Sequence, residues 1–196
     1  AKHALSKQEA RSELGLEAGA EETVISMIGF INERKRIEVL EEIASRRSEW
    51  TVLLAGGART KTASKRVNRL KQSAMDNISV TGVLPEELFH AAFIASDVVV
   101  LPYRDINQSG ILNWCAAYGV PTISSDLPYF ERICHSYSWP ITSPLEQLPG
   151  KTLDLIESSS SLEPLYKGAE RYASDHSHQE VINQYEDFHE MLQTPQ

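Results

Sequence analysis

Two short segments of this chain carry the residue types that could do chemistry. Residues 29–36 read GFINERKR, a glycine followed by three adjacent cations, Arg34, Lys35 and Arg36. A glycine lets the backbone come close to a ligand, and fixed positive charges suit an anion. Residues 102–110 read PYRDINQSG, with Arg104, Asp105 and Gln108 ahead of Ser109-Gly110 at the start of a helical pattern. Free N–H groups and the helix dipole favour a phosphate there. A diphosphate held between the two segments is the ligand that fits them. Each residue also has a plainer reading. Gly29 can be only a turn, Ser109 only a helix cap and Arg104 only a solvated loop charge. Gly56-Gly57 is either a further point of close approach or a simple strand-to-helix turn.

What must position these segments is an alternation of apolar runs and helical patterns. β-Rich runs occupy residues 23–28, 51–55, 78–81, 97–101, 120–124 and, weakly, 137–141. Helical spacing fills 35–47, 61–71, 85–96, 110–118 and 128–135, after a short helix opened by the Ser6/Glu9 capping-box spacing. Pro85 starts one of these helices, and Glu86 and Glu87 follow in its first turn, where the dipole favours them. Short, continuously apolar strands separated by helices predict a parallel sheet covered on both faces. The expected class is α/β, a doubly wound Rossmann-like sheet of about six strands in the order 3-2-1-4-5-6, with right-handed crossovers. That order puts the switch point between the first and fourth strands, and ligands bind outside the carboxyl ends there. The loops at that point are residues 29–36 and 102–110. Two further helices, at about 163–173 and 179–192, close a single domain spanning 1–196. The second has Val181, Ile182, Tyr185, Phe188 and Leu192 on one face, for docking on the domain or on a partner domain.

Composition narrows the partners. The net charge of −8 argues against bulk nucleic-acid binding. Yet eleven Lys or Arg against four Glu fall between Arg34 and Lys71. A local basic region in an acidic chain suits a small anion, and a solvated helix face is its plainer reading. No run approaches a membrane span, and the polar residues 1–13 are not a signal peptide. Cys115 and Cys134 lack metal spacing and read as reduced, buried thiols of a cytoplasmic protein. His176 and His178 are the only histidines at a ligand-like spacing, more typical of surface decoration than of a metal site. The loop GFINER is not G-x-G-x-x-G, and no Walker sequence occurs, so dinucleotide and P-loop sites are disfavoured.

The run ISMIGFINERKRIEVLEEI resembles the first-strand block of group 1 (family 4) glycosyltransferases. ISVTGVLPEELFHAAFIASDVVVLPYRDINQSGILNWCAAYGVPTISSDLPYFERI resembles their long C-terminal block. The likeness runs from about residue 11 to residue 133. It implies the nucleotide-sugar-binding, C-terminal half of a two-domain GT-B enzyme. By that resemblance Lys35 falls on the lysine that contacts the donor diphosphate, and Gly29 on the glycine of the first-strand loop. Gln108, Ser109, Gly110 and Ile111 fall where backbone N–H groups meet phosphate and donor sugar. Gly82, Val83 and Leu84 fall where the family places the nucleobase. The chain departs from the pattern at Phe30, which stands where the family has an arginine. It departs again at Ile106 and Trp114, which stand where the family has two glutamates. The second glutamate holds the ribose hydroxyls, and an indole cannot accept in its place. Asp105, adjacent to the first of these positions, is a candidate substitute, and Trp114 has the plainer reading of core packing.

The expected chemistry is retaining transfer of a sugar from a nucleotide-diphospho-sugar to a glycan, lipid or protein acceptor, in the manner of a hexosyltransferase. Lys35 is the expected main leaving-group contact, helped by Arg34 or Arg36, with Asp105 as the acidic candidate and Ser109, Gly110 and Arg104 completing the cradle. No D-x-D pair lies in the expected site, so no obligatory metal or other cofactor is anticipated. The acceptor belongs to an N-terminal domain or partner subunit. Any membrane contact is then peripheral and made through the full-length enzyme, and the isolated domain is expected to be inactive alone. The alternative is a non-catalytic module of the same fold that stabilises or regulates a partner glycosyltransferase.

Overall fold

The structure is a computed structural model that describes residues 5–19, 21–158 and 162–177. The elements run α1 (Lys7–Glu13), β1 (Val24–Ile28), α2 (Glu38–Arg46), β2 (Thr51–Ala55), α3 (Lys61–Lys71), β3 (Ile78–Val80) and α4 (Glu86–Ala95). They continue with β4 (Val98–Leu101), α5 (Gly110–Ala117), β5 (Thr122–Ser125), α6 (Pro128–Tyr137), β6 (Ile141–Ser143), α7 (Leu148–Glu157) and α8 (Leu162–Asp175). The six strands form one sheet in the order β3-β2-β1-β4-β5-β6, and every pairing is parallel. The expected order is the observed one. Every residue of β1 and of β4 is buried. Their Val, Ile and Leu side chains therefore face helices on both sides, as central parallel strands require.

Three segments differ from the sequence expectation. Helix α2 begins at Glu38 rather than at 35, because residues 34–36 are drawn into backbone bonds with the loop after β4. Strand β6 lies at Ile141–Ser143 rather than 137–141: α6 runs on to Tyr137, and Ser138 ends it with φ 57°. Helix α7 has no counterpart in the sequence reading. Its first turn contains Pro149 and Gly150, which blur the helical pattern, although proline suits the first turn. The expected helix at 163–173 is α8. The one at 179–192, with His178, lies outside the described residues. His176 stacks on Tyr172 at 4.1 Å.

The amino end of the sheet is closed by α1. Ser6 caps it and Glu9 completes the capping box. Arg11 on this helix is fully buried. Its guanidinium donates to Ala95 O at 3.1 Å and to Asp97 Oδ2 at 2.8 Å, and also to Gly19 O. Asp97 in turn accepts the Val24 N–H at 2.7 Å, so one carboxylate joins α1 to the starts of β1 and β4. Cys115 is buried on α5, and burial pushes its thiol up to about 12, so it stays protonated and inert. Cys134 is half-buried, less enclosed than the sequence suggested. Among the described residues no helix is long and apolar enough to cross a membrane.

Candidate functional site

The loops leaving β1, β2 and β4 are stitched together at the carboxyl end of the sheet. The Gly29 N–H donates to Ala55 O at 2.8 Å, the Ile31 N–H to Gly57 O at 2.9 Å and the Arg59 N–H to Ile31 O at 2.9 Å. Across the switch point, the Arg36 N–H donates to Pro102 O and the Arg104 N–H to Arg34 O, both at 2.8 Å, and Lys35 bridges Tyr103 in antiparallel register. The two segments singled out from the sequence are therefore bonded side by side.

Glycine is required where these loops meet. Gly29 has φ 93°, and a β-carbon there would lie 2.7 Å from Ile111 Cδ1 and 3.5 Å from Lys35 Nζ. A β-carbon on Gly56 would lie 2.2 Å from the Gly29 carbonyl oxygen, and one on Gly57 2.2 Å from Val83 Cγ2. Of the two readings left open for Gly56-Gly57, close approach is the one observed. What approaches is the chain's own backbone and Val83.

Above these contacts opens a cleft of about 630 Å³. Of the residues singled out in the sequence, Gly29, Lys35, Val83, Leu84, Gly110 and Ile111 line it. The other expected residues do not line it. Arg34 pairs with Asp105 at 3.3 Å, both side chains more than half exposed. Arg36 pairs with Glu38 at 3.2 Å. Gly82 takes φ 79° in the turn before Val83. Arg104 and Gln108 are exposed along the loop before α5. The Ser109 hydroxyl is buried and accepts the Leu112 N–H at 3.2 Å, so its side chain acts as the cap of α5. Gln108 and Ser109 instead border a second cavity, between α5, α6 and α8.

Lys35 is the distinctive group. Its Nζ donates to Ile28 O at 3.3 Å and sits 5.2 Å above the ring of buried Tyr103. Burial, with a smaller contribution from the Arg34 charge beside it, pulls its pKa from 10.5 down to about 8. Arg66 of α3 shapes the loop that carries it. That guanidinium donates to Lys35 O at 2.9 Å and to Asn32 O at 3.4 Å, and its other edge grips Glu38 at 2.8 and 2.9 Å. The first turn of α5 lines the same cleft through Gly110 and Ile111. A cation with a lowered proton affinity sharing one cleft with a helix N-terminus is an arrangement suited to an anionic ligand.

The remaining wall is apolar and was largely missed in the sequence. Phe30, Phe89 and Trp114 line the cleft, with Arg59 and one carboxylate, Glu86. Trp114 is not a core residue. It is 41% exposed and meets Phe89 and His90 edge-on, at 6.2 and 4.9 Å. Among the described residues four large hydrophobics are exposed, and three of them, Phe30, Val83 and Trp114, are in this wall. Such clustering marks a binding surface rather than scattered exposure. The signal that could have found it is the placement of Gly56-Gly57 and Val83 at carboxyl ends neighbouring the switch point.

Residues 22–143 match the family described as glycosyl transferases group 1. No curated protein matches the chain. Among solved structures, the chain is similar to sucrose-phosphate synthase from Thermosynechococcus elongatus (TM-score 0.76, 19% identity, 94% of this chain and 48% of that one). It is also similar to HepE from Anabaena, solved in complex with UDP (TM-score 0.76, 14% identity, 95% of this chain and 52% of that one). A third is the C-terminal domain of LpcC, a glycosyl transferase group 1 family protein from Francisella tularensis (TM-score 0.67, 18% identity, 87% of this chain and 91% of that one). The chain thus spans about half the length of the first two and nearly all of the third.

Proposed function

This chain belongs to the group 1 glycosyl transferases, and on that premise we propose that its cleft binds a nucleotide-diphospho-sugar donor for retaining, hexosyltransferase-type transfer. The observation that carries the reading is that Lys35, its proton affinity lowered by burial, and the first turn of α5 line one cleft at the switch point of the sheet. Cleavage of the donor leaves charge on the departing diphosphate. A preorganised cation and unpaired helix N–H groups stabilise that charge most where water is excluded. In this arrangement Lys35 and the Gly110 N–H hold the diphosphate, and glycine at 29 leaves room for the Ile111 and Lys35 side chains that flank it. Val83, Leu84, Phe89 and Trp114 receive the nucleoside end. No metal is required. The acceptor is held by an N-terminal GT-B domain or a partner subunit, so residues 1–196 act as one donor-binding unit that transfers nothing alone, in a cytoplasmic enzyme.

The direct test is calorimetry with UDP, GDP and ADP and their glucose and mannose conjugates, with and without chelator. UDP-glucose is a natural first ligand, since HepE was also solved in complex with it. One nucleoside diphosphate should bind, with chelator making no difference. Lys35→Ala should weaken it by ~1–3 kcal/mol, the range for hydrogen bonds to charged groups. Absence of binding at millimolar nucleotide would end the donor reading.

One observation favours the second reading, a non-catalytic module that regulates a partner transferase. Trp114, in place of an acceptor for the ribose, leaves Glu86 as the one carboxylate of the cleft wall among the described residues. That module would dock a protein through Phe30, Val83 and Trp114 and ignore every nucleotide in the same panel.

A further inference from the structure

The charged residues around the cleft fall into two groups. Arg34, Arg36 and Arg66 are each engaged by a carboxylate, of Asp105, Glu38 and Glu38 respectively. Lys35 and Arg59 line the cleft, and among the described residues neither has a carboxylate partner. The guanidinium of Arg59 lies instead 4.1 Å above the ring of Phe30, which is itself 46% exposed. We infer that Arg59, held on Phe30, is the second cation of the donor site and binds the diphosphate together with Lys35. This inference rests on the donor-binding reading and adds a residue to it.

Three features support it. First, Arg59 is fixed at its backbone to the loop that also carries Phe30 and Lys35. Its N–H donates to Ile31 O at 2.9 Å, and Ala58 bridges Ile31 in parallel register. Its side chain therefore starts from a defined point beside Ile31. Second, the Phe30 face orients the guanidinium and restricts its freedom before any ligand arrives. Phe30 stands exposed next to the glycine of the site, and the cation above it accounts for its presence. Third, the two cations are chemically complementary. Arginine offers a planar fork of donors that matches phosphate oxygens and keeps its charge at any working pH. Lys35 is a point charge whose proton is more easily lost, since its pKa lies near 8. A diphosphate carries more than one negative charge, and a single lysine leaves part of it uncompensated.

The experiment measures affinity for the nucleoside diphosphate that binds best among UDP, GDP and ADP, and for the matching nucleoside. The proteins are wild type, Arg59→Gln, Arg59→Lys, Phe30→Leu and Lys35→Ala, each checked by circular dichroism. The inference expects Arg59→Gln to weaken diphosphate binding about tenfold and to leave nucleoside binding unchanged. Arg59→Lys and Phe30→Leu should fall in between, because each keeps the charge and removes either the fork or its platform. Unchanged diphosphate affinity in Arg59→Gln, with a loss in Lys35→Ala, would overturn the role of Arg59 and leave the donor reading standing. Equal losses for diphosphate and nucleoside would make Arg59 a base-stacking residue and overturn it as well. Failure of the wild-type protein to bind any of the three would remove both readings together.

Discussion

Ile111 occupies the space that a side chain on Gly29 would need: a β-carbon on the glycine would lie 2.7 Å from the isoleucine Cδ1. The carboxyl end of β1 and the first turn of α5 thus share one steric boundary. Lys35 Nζ, 3.5 Å from the same point, shares it too.

Gly29→Ala should destabilise the protein by ~2 kcal/mol or more, combining a φ of 93° with the overlap. Urea denaturation measures it. Adding Ile111→Ala should recover the steric part and not the conformational part. A double variant no better than the sum of its singles would show that the two residues do not press on each other.

Binding of a nucleoside diphosphate should weaken as pH rises through about 8, where Lys35 loses its proton in the free protein. The sign follows from linkage. The ligand favours charged Lys35, so a protein that is neutral there must take up a proton on binding. Above that pKa the dissociation constant should rise toward tenfold per pH unit, at ~1.4 kcal/mol per unit. Calorimetry at pH 8.5 in buffers of different ionisation enthalpy should detect proton uptake in wild type and none in Lys35→Ala.

Arg66→Ala should weaken the same binding by ~1 kcal/mol without touching the ligand, because the guanidinium holds the carbonyls of Asn32 and Lys35. A purely structural role would lower thermal stability and leave the pH midpoint of binding in place. A positioning role should move that midpoint, since the burial of Lys35 changes with the loop. Arg66→Lys should not restore it, because it lacks the fork that reaches Glu38 and Lys35 O together.

Asp97→Ala should cost ~3 kcal/mol of stability by removing the carboxylate that pairs with the buried Arg11 guanidinium and accepts the Val24 N–H. Ligand affinity, measured where the variant is still folded, should not change. Asp97 precedes β4 at the amino end of the sheet, opposite the cleft. A parallel loss of affinity would mean that the two ends are coupled.

The strand order and the meeting of the two loops were legible because short apolar runs between helical patterns admit few parallel topologies. The loops that carry Gly29, Lys35 and Gly110 followed from that order, while Ile111 came only with the resemblance to the family. Other roles depended on neighbours invisible in a linear reading. Arg34 and Arg36 are drawn off by Asp105 and Glu38, and Ser109 is consumed by its own helix. Trp114 looked like a core residue from its helical position, but its face of α5 turns toward Phe89 and the open cleft. Arg59 comes from the loop after β2, and its distance from Phe30 is set by the pairing of β1 with β2 rather than by any motif.

The apposition of Gly56 and the Gly29 carbonyl has an evolutionary corollary. Main chain presses on main chain there, so the floor of the cleft admits no remodelling by point substitution. Descendants of this sequence that acquire another ligand must do so at the lip, by exchanging Phe30, Val83 or Trp114. Variation at those three positions, beside invariance at the two glycines, is the pattern its lineage should display.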